Sequence, residues 1–461
     1  MTDRPRYKCV STFTGAMGLD IGLERTGRFA TVAAIELSPA SCKSIAANRD
    51  AGRTAEPDMR IYEGDISTLD PYQVMADLGL KSGELDLLCG GPPCQSFSTA
   101  GRRGSVQDVR GTLIWQFLRF IVAFRPKFFL MENVRGLMSS ALRHRPTAER
   151  PMDEEGYLLT DEERGSVVRS WLSDLREQAP EYRVDCFEVN AVNYGAPQLR
   201  ERVLFIGNKL THLVEFPNPT HGEANEEGGQ LTLFDPPAHG KLTPFRTLGD
   251  AIRGITEDNP VLMDFSPRKK QFLALVKPGG NWRTLPEEIQ RESMGKAWFA
   301  KGGRSGWWRR LSYDLPCPTL LTMPNHASSA LCHPDEVRAL TLREFSLIQE
   351  FPPEWEFFGS PQEQYAQAGN AVPVKLGEIA GEVLARHLDA AHAEGLKQRS
   401  FDHEPFRLTY VRSHVRTRMW FKDGHVLTWN DGQSNGEVKY NLPKTRRMVK
   451  DAFMADRTER N

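Results

Sequence analysis

The sequence predicts an α/β fold: a mostly parallel sheet with helices on both faces, joined to a smaller and less regular region. Three observations predict it. From residue 6 to about 207, short apolar runs alternate with stretches of helical period. The runs end near Gly, Asp, Asn or Pro, as buried parallel strands do. Beyond about residue 209 the alternation fades and Pro and Gly become frequent. A chain of 461 residues is also too long for one ordinary core, which implies two lobes.

Strands are expected at 9–13, 31–36, 59–62, 85–89, 128–132, 186–190 and 203–206, with helices at 22–26, 39–49, 112–124 and 167–178. Such a sheet presents ligands at the carboxyl ends of its strands. The charged, aperiodic stretch at about 142–166 reads as an inserted surface loop within a first domain of residues 1–208. Residues 209–334 form the second lobe, with GEANEEGGQ (222–230) as an exposed loop and PCPTLLT (316–322) as a strand leading back. Residues 335–395 complete the first domain with helices at 335–349 and 374–392. The extension at 396–461 is basic, with 14 Lys or Arg against 8 Asp or Glu from residue 397. In it, MWFKDGHVLTW (419–429) reads as a hairpin turning at Asp423-Gly424. Two readings of the extension stand: a salt-sensitive grip on phosphates, or a hairpin packed on the first domain.

Composition excludes little. A net charge of −1 carries no global signal for nucleic acid, but such a footprint is a local face rather than a sum. The N-terminal MTDRPRYKCV lacks the apolar core of a secretory signal, and no apolar run approaches the roughly 18 residues of a membrane span. Seven cysteines without a C-x-x-C pair argue against structural zinc and a disulfide framework, and fit a reducing, cytoplasmic setting.

Chemistry concentrates where strands end. After the first strand, FTGAMGLD (13–20) places glycines before a helix, where the backbone can approach a ligand closely. Alone this is equally a tight turn. Glu36 closes the second strand, where a carboxylate can accept bonds from ribose hydroxyls, and Asp65 sits in GDI (64–66) after the third. Each alone reads as a helix cap or loop charge; together they outline an adenosine pocket. After the fourth strand comes GGPPCQSFS (90–98), whose two prolines stiffen a turn that presents Cys94 at the sheet's carboxyl edge. Most lone cysteines are inert core residues; this context favours a reactive thiol without naming its reaction. Glu132, in ENV (132–134), follows an apolar run and is partly desolvated, which suits a proton donor, or else a paired structural carboxylate. In QLRER (198–202), Gln198, Arg200 and Arg202 alternate to one side, as a base or phosphate grip or an ordinary strand edge.

FTGAMGLD, Glu36, GDI, GGPPCQSFS, ENV, QLRER and GNAVPV (369–374) resemble, in order and spacing, the signature motifs of bacterial DNA cytosine-5 methyltransferases. RALTLREFSLIQEFP (338–352) resembles the family's helix before its last motif, and the likeness spans about residues 7–390. The resemblance implies a Rossmann-like S-adenosylmethionine-dependent methyltransferase domain with a target-recognition domain at 209–334. It implies that Cys94 attacks C6 of a flipped-out cytosine, Glu132 holds and protonates N3, Arg202 contacts the base near O2, and Arg200 supports the nucleophile and the nearby backbone. S-adenosyl-L-methionine would be lined by Phe13, Gly15, Gly18, Glu36, Asp65, Ile66, Pro93, Asn370 and Val372. Duplex DNA would meet Gln95, Ser98, Arg304, Arg309 and Arg310, the last three from KGGRSGWWRR (301–310), which reads alternatively as a charged loop packed on a Trp core. No metal and no membrane are implied; a cognate restriction or defence protein is a further partner. Met17 stands where the family has Gly, which is expected to narrow the pocket without abolishing binding, and the extension exceeds what the family needs. Rival readings are a transfer-RNA methyltransferase, a non-catalytic DNA-binding relative and an amino-group methyltransferase. The roughly 125 residues between QLRER and the last helices oppose the first, the retention of Cys94, Glu132, Arg202 and Asn370 the second, and the PPC turn the third.

Overall fold

The computed structural model describes residues 6–93, 113–143, 161–210, 213–222, 242–299, 306–394, 406–410, 414–415 and 428–429. The first half supplies β1 (Tyr7–Thr12), α1 (Gly18–Arg25), β2 (Phe29–Glu36), α2 (Pro39–Asp50), β3 (Arg60–Glu63), α3 (Pro71–Asp77) and β4 (Leu87–Gly90). It continues with α4 (Leu113–Phe124), β5 (Phe128–Val134), α5 (Ser166–Gln178), β6 (Arg183–Asn190) and β7 (Glu201–Asn208). Every expected strand of this half is present. The helix α3 was not anticipated, although Asp70 caps it by accepting from Tyr72 N and a proline opens it.

The main sheet has eight strands in the order β10-β6-β7-β5-β4-β1-β2-β3, where β10 is Phe406–Tyr410 from the extension. Its strands run parallel except β7, which is antiparallel to both β5 and β6. The reason is the length of the link: residues 191–200 are too few for a crossover helix, so the chain turns straight back. One face is covered by α3, α4 and α5, whose Phe117, Phe120, Phe124 and Trp171 pack on Phe129 and Phe205 of the sheet. The other is covered by α1 and α11 (Val374–Glu394), with Leu23, Leu376, Val383 and Leu388 on Phe29, Leu130 and Leu204. The inserted loop leaves and returns at one point: Arg143 N donates to Asp161 O at 2.9 Å and Leu142 N to Ser166 Oγ at 2.9 Å.

The second lobe contains the two-residue pair β8 (His221–Gly222) and β9 (Thr243–Pro244) and the short helices α6 (Leu248–Ile252), α7 (Pro267–Ala274) and α8 (Glu287–Met294). Its centre is a cluster of Phe265, Phe272, Trp282, Met294 and Trp308. The expected strand at 316–322 reduces to one bridge between Cys317 and Gln198, since Pro316 and Pro318 withhold donors. The helix expected at 335–349 starts only at α9 (Leu342–Ile348), where Thr341 and Glu344 form a capping box. Before it, the chain is extended: Leu340 N donates to Leu331 O at 3.3 Å. A further helix, α10 (Pro361–Asn370), again opens on a capping serine and a proline. In the extension, β11 (His414–Val415) pairs antiparallel with β12 (Thr428–Trp429), while the proposed turn at Asp423-Gly424 lies outside the described residues.

Candidate active site

The site assembles along the carboxyl edge of β1, β2, β3, β4 and β5. After β1 the backbone turns through three left-handed residues, Phe13 (φ 53°), Gly15 (φ 58°) and Met17 (φ 67°), before α1 begins at Gly18. Glu36 holds that turn. Its carboxylate accepts from Gly15 N at 2.8 Å and Ser38 N at 2.9 Å, which leaves each oxygen a free lone pair. Asp65 is exposed, and the backbone N–H of Ser67, donating to it at 2.8 Å, holds its carboxyl below the usual range. Ile66 behind it is buried, and its carbonyl accepts from Arg119 Nη2 at 2.5 Å. A methyl added at Gly15 or at Gly64 would meet nothing within 4 Å, so the space above both turns is open. The far end of the chain closes the site: a methyl on Gly18 would lie 2.4 Å from the Val372 carbonyl, beside exposed Asn370.

Met17 does not narrow this space. Its side chain is fully buried in a cluster with Ile21, Ile45, Phe351 and Trp355 beneath the turn.

At the next strand end, Gly91-Pro92-Pro93 leads out of β4 against β5, where Asn133 Nδ2 donates to Pro92 O at 3.0 Å. Glu132 is 8% exposed and lies against Gly91; its Oε1 is 2.5 Å from Arg202 Nε. The register explains the meeting, because antiparallel β7 brings Arg202 opposite Val134. Cys94, Gln95, Ser98 and Arg304 lie outside the described residues.

Two of the expected arginines are engaged with backbone carbonyls. Arg200 is buried, and its guanidinium donates to the carbonyls of Leu320 (3.1 Å), Gly369 (3.0 Å) and Asn370 (3.3 Å). It braces backbone, the part of its expected support that these bonds display. Arg310, expected at DNA, directs three donors to the carbonyls of Pro334, Val276 and Asp335, so it is a strut inside the second lobe. Arg309 beside it is mostly enclosed, and burial pushes its guanidinium down to about 10. Trp308 is 3% exposed and Trp307 packs against the same cluster, so the aromatics of KGGRSGWWRR belong to the core. Sequence reasoning missed Asn133, Gln349 and the exposed Leu37 next to Glu36, although ENV and QEFP contained the first two.

A sheet with one antiparallel strand at this place, and a glycine turn, Glu and Asp at three successive strand ends, defines a Rossmann-like S-adenosylmethionine-dependent methyltransferase fold. Residues 7–386 match the sequence profile of the C-5 cytosine-specific DNA methylases. The chain is 33% identical over 391 residues to the type II methyltransferase M.Sau96I of Staphylococcus aureus, covering 83% of this chain and 76% of that protein. It is 34% identical over 390 residues to the type II methyltransferase M.Eco47II of Escherichia coli, covering 83% and 80%. Among solved structures, an E. coli prophage protein described as a DNA modification methyltransferase shares the fold, with TM-score 0.52 and 21% identity over 83% of this chain and 99% of that one. The chain belongs to the C-5 cytosine-specific DNA methylase family and is a DNA cytosine-5 methyltransferase.

Proposed function

We propose that the protein methylates C5 of a cytosine flipped out of duplex DNA, within one recognition sequence, using S-adenosyl-L-methionine and a covalent step at Cys94. The observation that carries this is the Glu132–Arg202 pair, enclosed beside the Gly91-Pro92-Pro93 turn that leads directly to Cys94. C5 of cytosine is a poor nucleophile. A thiolate adding at C6 while a carboxyl group protonates N3 makes C5 electron-rich, and later removal of the C5 proton expels the thiol. Glu132 is placed to hold N3, and Arg202 fixes the carboxylate and reaches O2 of the same base. The target atoms are shielded in a duplex, so the base must leave the stack.

The residues present fit the cofactor. Open space lies over Gly15 and Gly64; Glu36 keeps spare acceptor capacity for ribose hydroxyls; Asp65 is an exposed acceptor, and Leu37 next to Glu36, 66% exposed, offers apolar cover for a ring. When bound, the cofactor supplies an electrophilic methyl group. Phe13, Gly18, Ile66, Pro93, Asn370 and Val372 complete the enclosure. Sequence reading belongs to residues 209–334, with Gln95, Ser98, Arg304 and Arg309 at the DNA. The relatives' designation as type II methyltransferases supports a place in a restriction-modification system, with a cognate nuclease as functional partner in the cytoplasm.

The test is trapping. A duplex carrying 5-fluorocytosine at the target should bind the wild type covalently, because fluorine cannot leave as a proton does. Cys94→Ser should bind cofactor and DNA without methyl transfer or trapping. Substantial activity in Cys94→Ala would sink the covalent step.

A further inference from the structure

We propose that Gln349 is a positioning residue that sets cofactor affinity by holding the backbone turn at residues 369–372; this rests on the cofactor reading above. The turn links the end of α10 to the start of α11, so the last carbonyls of α10 have no partner within their own helix. Two buried side chains take them instead. Gln349, fully buried, donates from Nε2 to Ala368 O at 2.7 Å and Ala371 O at 3.1 Å, with Gly369 O at 3.5 Å. Arg200 donates to Gly369 O and Asn370 O. Four successive carbonyls thus point inward at an amide and a guanidinium.

The amide cannot swing away. Gln198 Nε2 donates to Gln349 Oε1 at 2.6 Å and to Ile348 O at 3.1 Å, which fixes which end of the Gln349 amide faces the turn. The backbone carbonyl of Gln349 also accepts from Val374 N at 3.1 Å, so residue 349 grips the turn at both ends. Outward, the same turn places the Val372 carbonyl over Gly18 and leaves Asn370 exposed at the site. Gln349 touches neither cofactor nor base. It acts through the turn, where small displacements move one wall of the pocket against the other.

The experiment compares wild type, Gln349→Met and Gln349→Glu as full-length proteins. Calorimetry with S-adenosyl-L-methionine should show Gln349→Met binding about tenfold more weakly, the loss expected when a buried donor set disappears. Its KM for cofactor should rise in parallel, while KM for DNA stays and kcat at saturating cofactor changes far less. Gln349→Glu keeps the shape but faces carbonyls with a carboxylate. Its affinity should be poor at pH 8 and recover toward pH 6 as the carboxyl regains a proton to donate, a trend the wild type lacks. If Gln349→Met does not fold, Gln198→Met, which frees the amide, should show a smaller loss in the same direction. Unchanged cofactor affinity in the folded variants, or a fall in kcat with KM unmoved, overturns the proposal. A wild type that fails to bind S-adenosyl-L-methionine overturns the cofactor reading itself.

Discussion

Met17 is the residue where local and global preferences oppose each other. Its left-handed backbone costs about 1–2 kcal/mol, which glycine would avoid. Its side chain is fully buried, and deleting a buried Met costs about 2–5 kcal/mol. Met17→Gly should therefore lower the melting temperature while leaving cofactor affinity within about twofold, since the side chain lies beneath the turn. A more stable variant would show that strain outweighs packing. Asp20, on the same helix, is fully buried, and burial raises its carboxyl to about 6 despite hydrogen bonds from Thr31 and the Cys89 thiol. A raised carboxyl favours the fold below its unfolded value, and that contribution is lost as pH climbs through about 6. Between pH 5 and 8, unfolding free energy should fall by roughly 1–2 kcal/mol more for wild type than for Asp20→Asn. Parallel denaturation curves at the two pH values would refute the shift. At this scale the sequence pointed to strand ends, and the structure gathers the Gly15 turn, Glu36, Asp65 and Glu132 along one edge of the sheet. The sequence could not show that Arg310 is a brace. A guanidinium written in a sequence does not reveal whether carbonyls or phosphates surround it.

Among the elements, the buried strands were legible because apolar runs of that length, bounded by turns, allow little else. The reversal of β7 was not read, since orientation depends on the length of the preceding link. Nor was β10, which is short and lies in a basic extension. It pairs with β6 from Phe406↔Val184 to Tyr410↔Glu188, and Phe406, 8% exposed, joins the core. Truncation after Gln398 should thus cost about 2–3 kcal/mol from Phe406 alone and bare a strand edge prone to association. Truncation after Val415 retains the strand and should spare most of the melting temperature. If both shortened proteins melt like the wild type but grip DNA with a flatter salt dependence, the extension serves phosphates instead. The contact of α1 with α11 is equally specific: a methyl on Gly377 would sit 2.4 Å from the Leu19 carbonyl, and one on Gly22 2.2 Å from that of Val374. Gly377→Ala should destabilise by about 1–3 kcal/mol, read by chemical denaturation.

For the molecule as a whole, the loss of periodicity near residue 209 is visible in the sequence, while the short helices that follow it are not. α6, α7 and α8 are short: α6 packs its Leu248 and Ile252 with Leu311, Leu320 and Phe345, while Trp and Phe packing holds α7 and α8. If residues 209–334 choose the sequence, exchanging them for the corresponding segment of a relative should change the methylated sequence to the relative's. Bisulfite sequencing of DNA from a methylation-free host reads the outcome. A folded chimera that keeps the original sequence would move recognition elsewhere.

The touch between Gly18 and the Val372 carbonyl also has a consequence in time. A ribosome lays down the glycine turn at the outset, yet its facing wall is not synthesised until some 350 residues later. At about 5–20 residues per second, that interval is roughly 20–70 seconds. Throughout it, the amino-terminal strands can pair, but the glycine turn lacks the wall that Val372 supplies. The docking of α11 on α1 is thus among the last contacts that the growing chain can make.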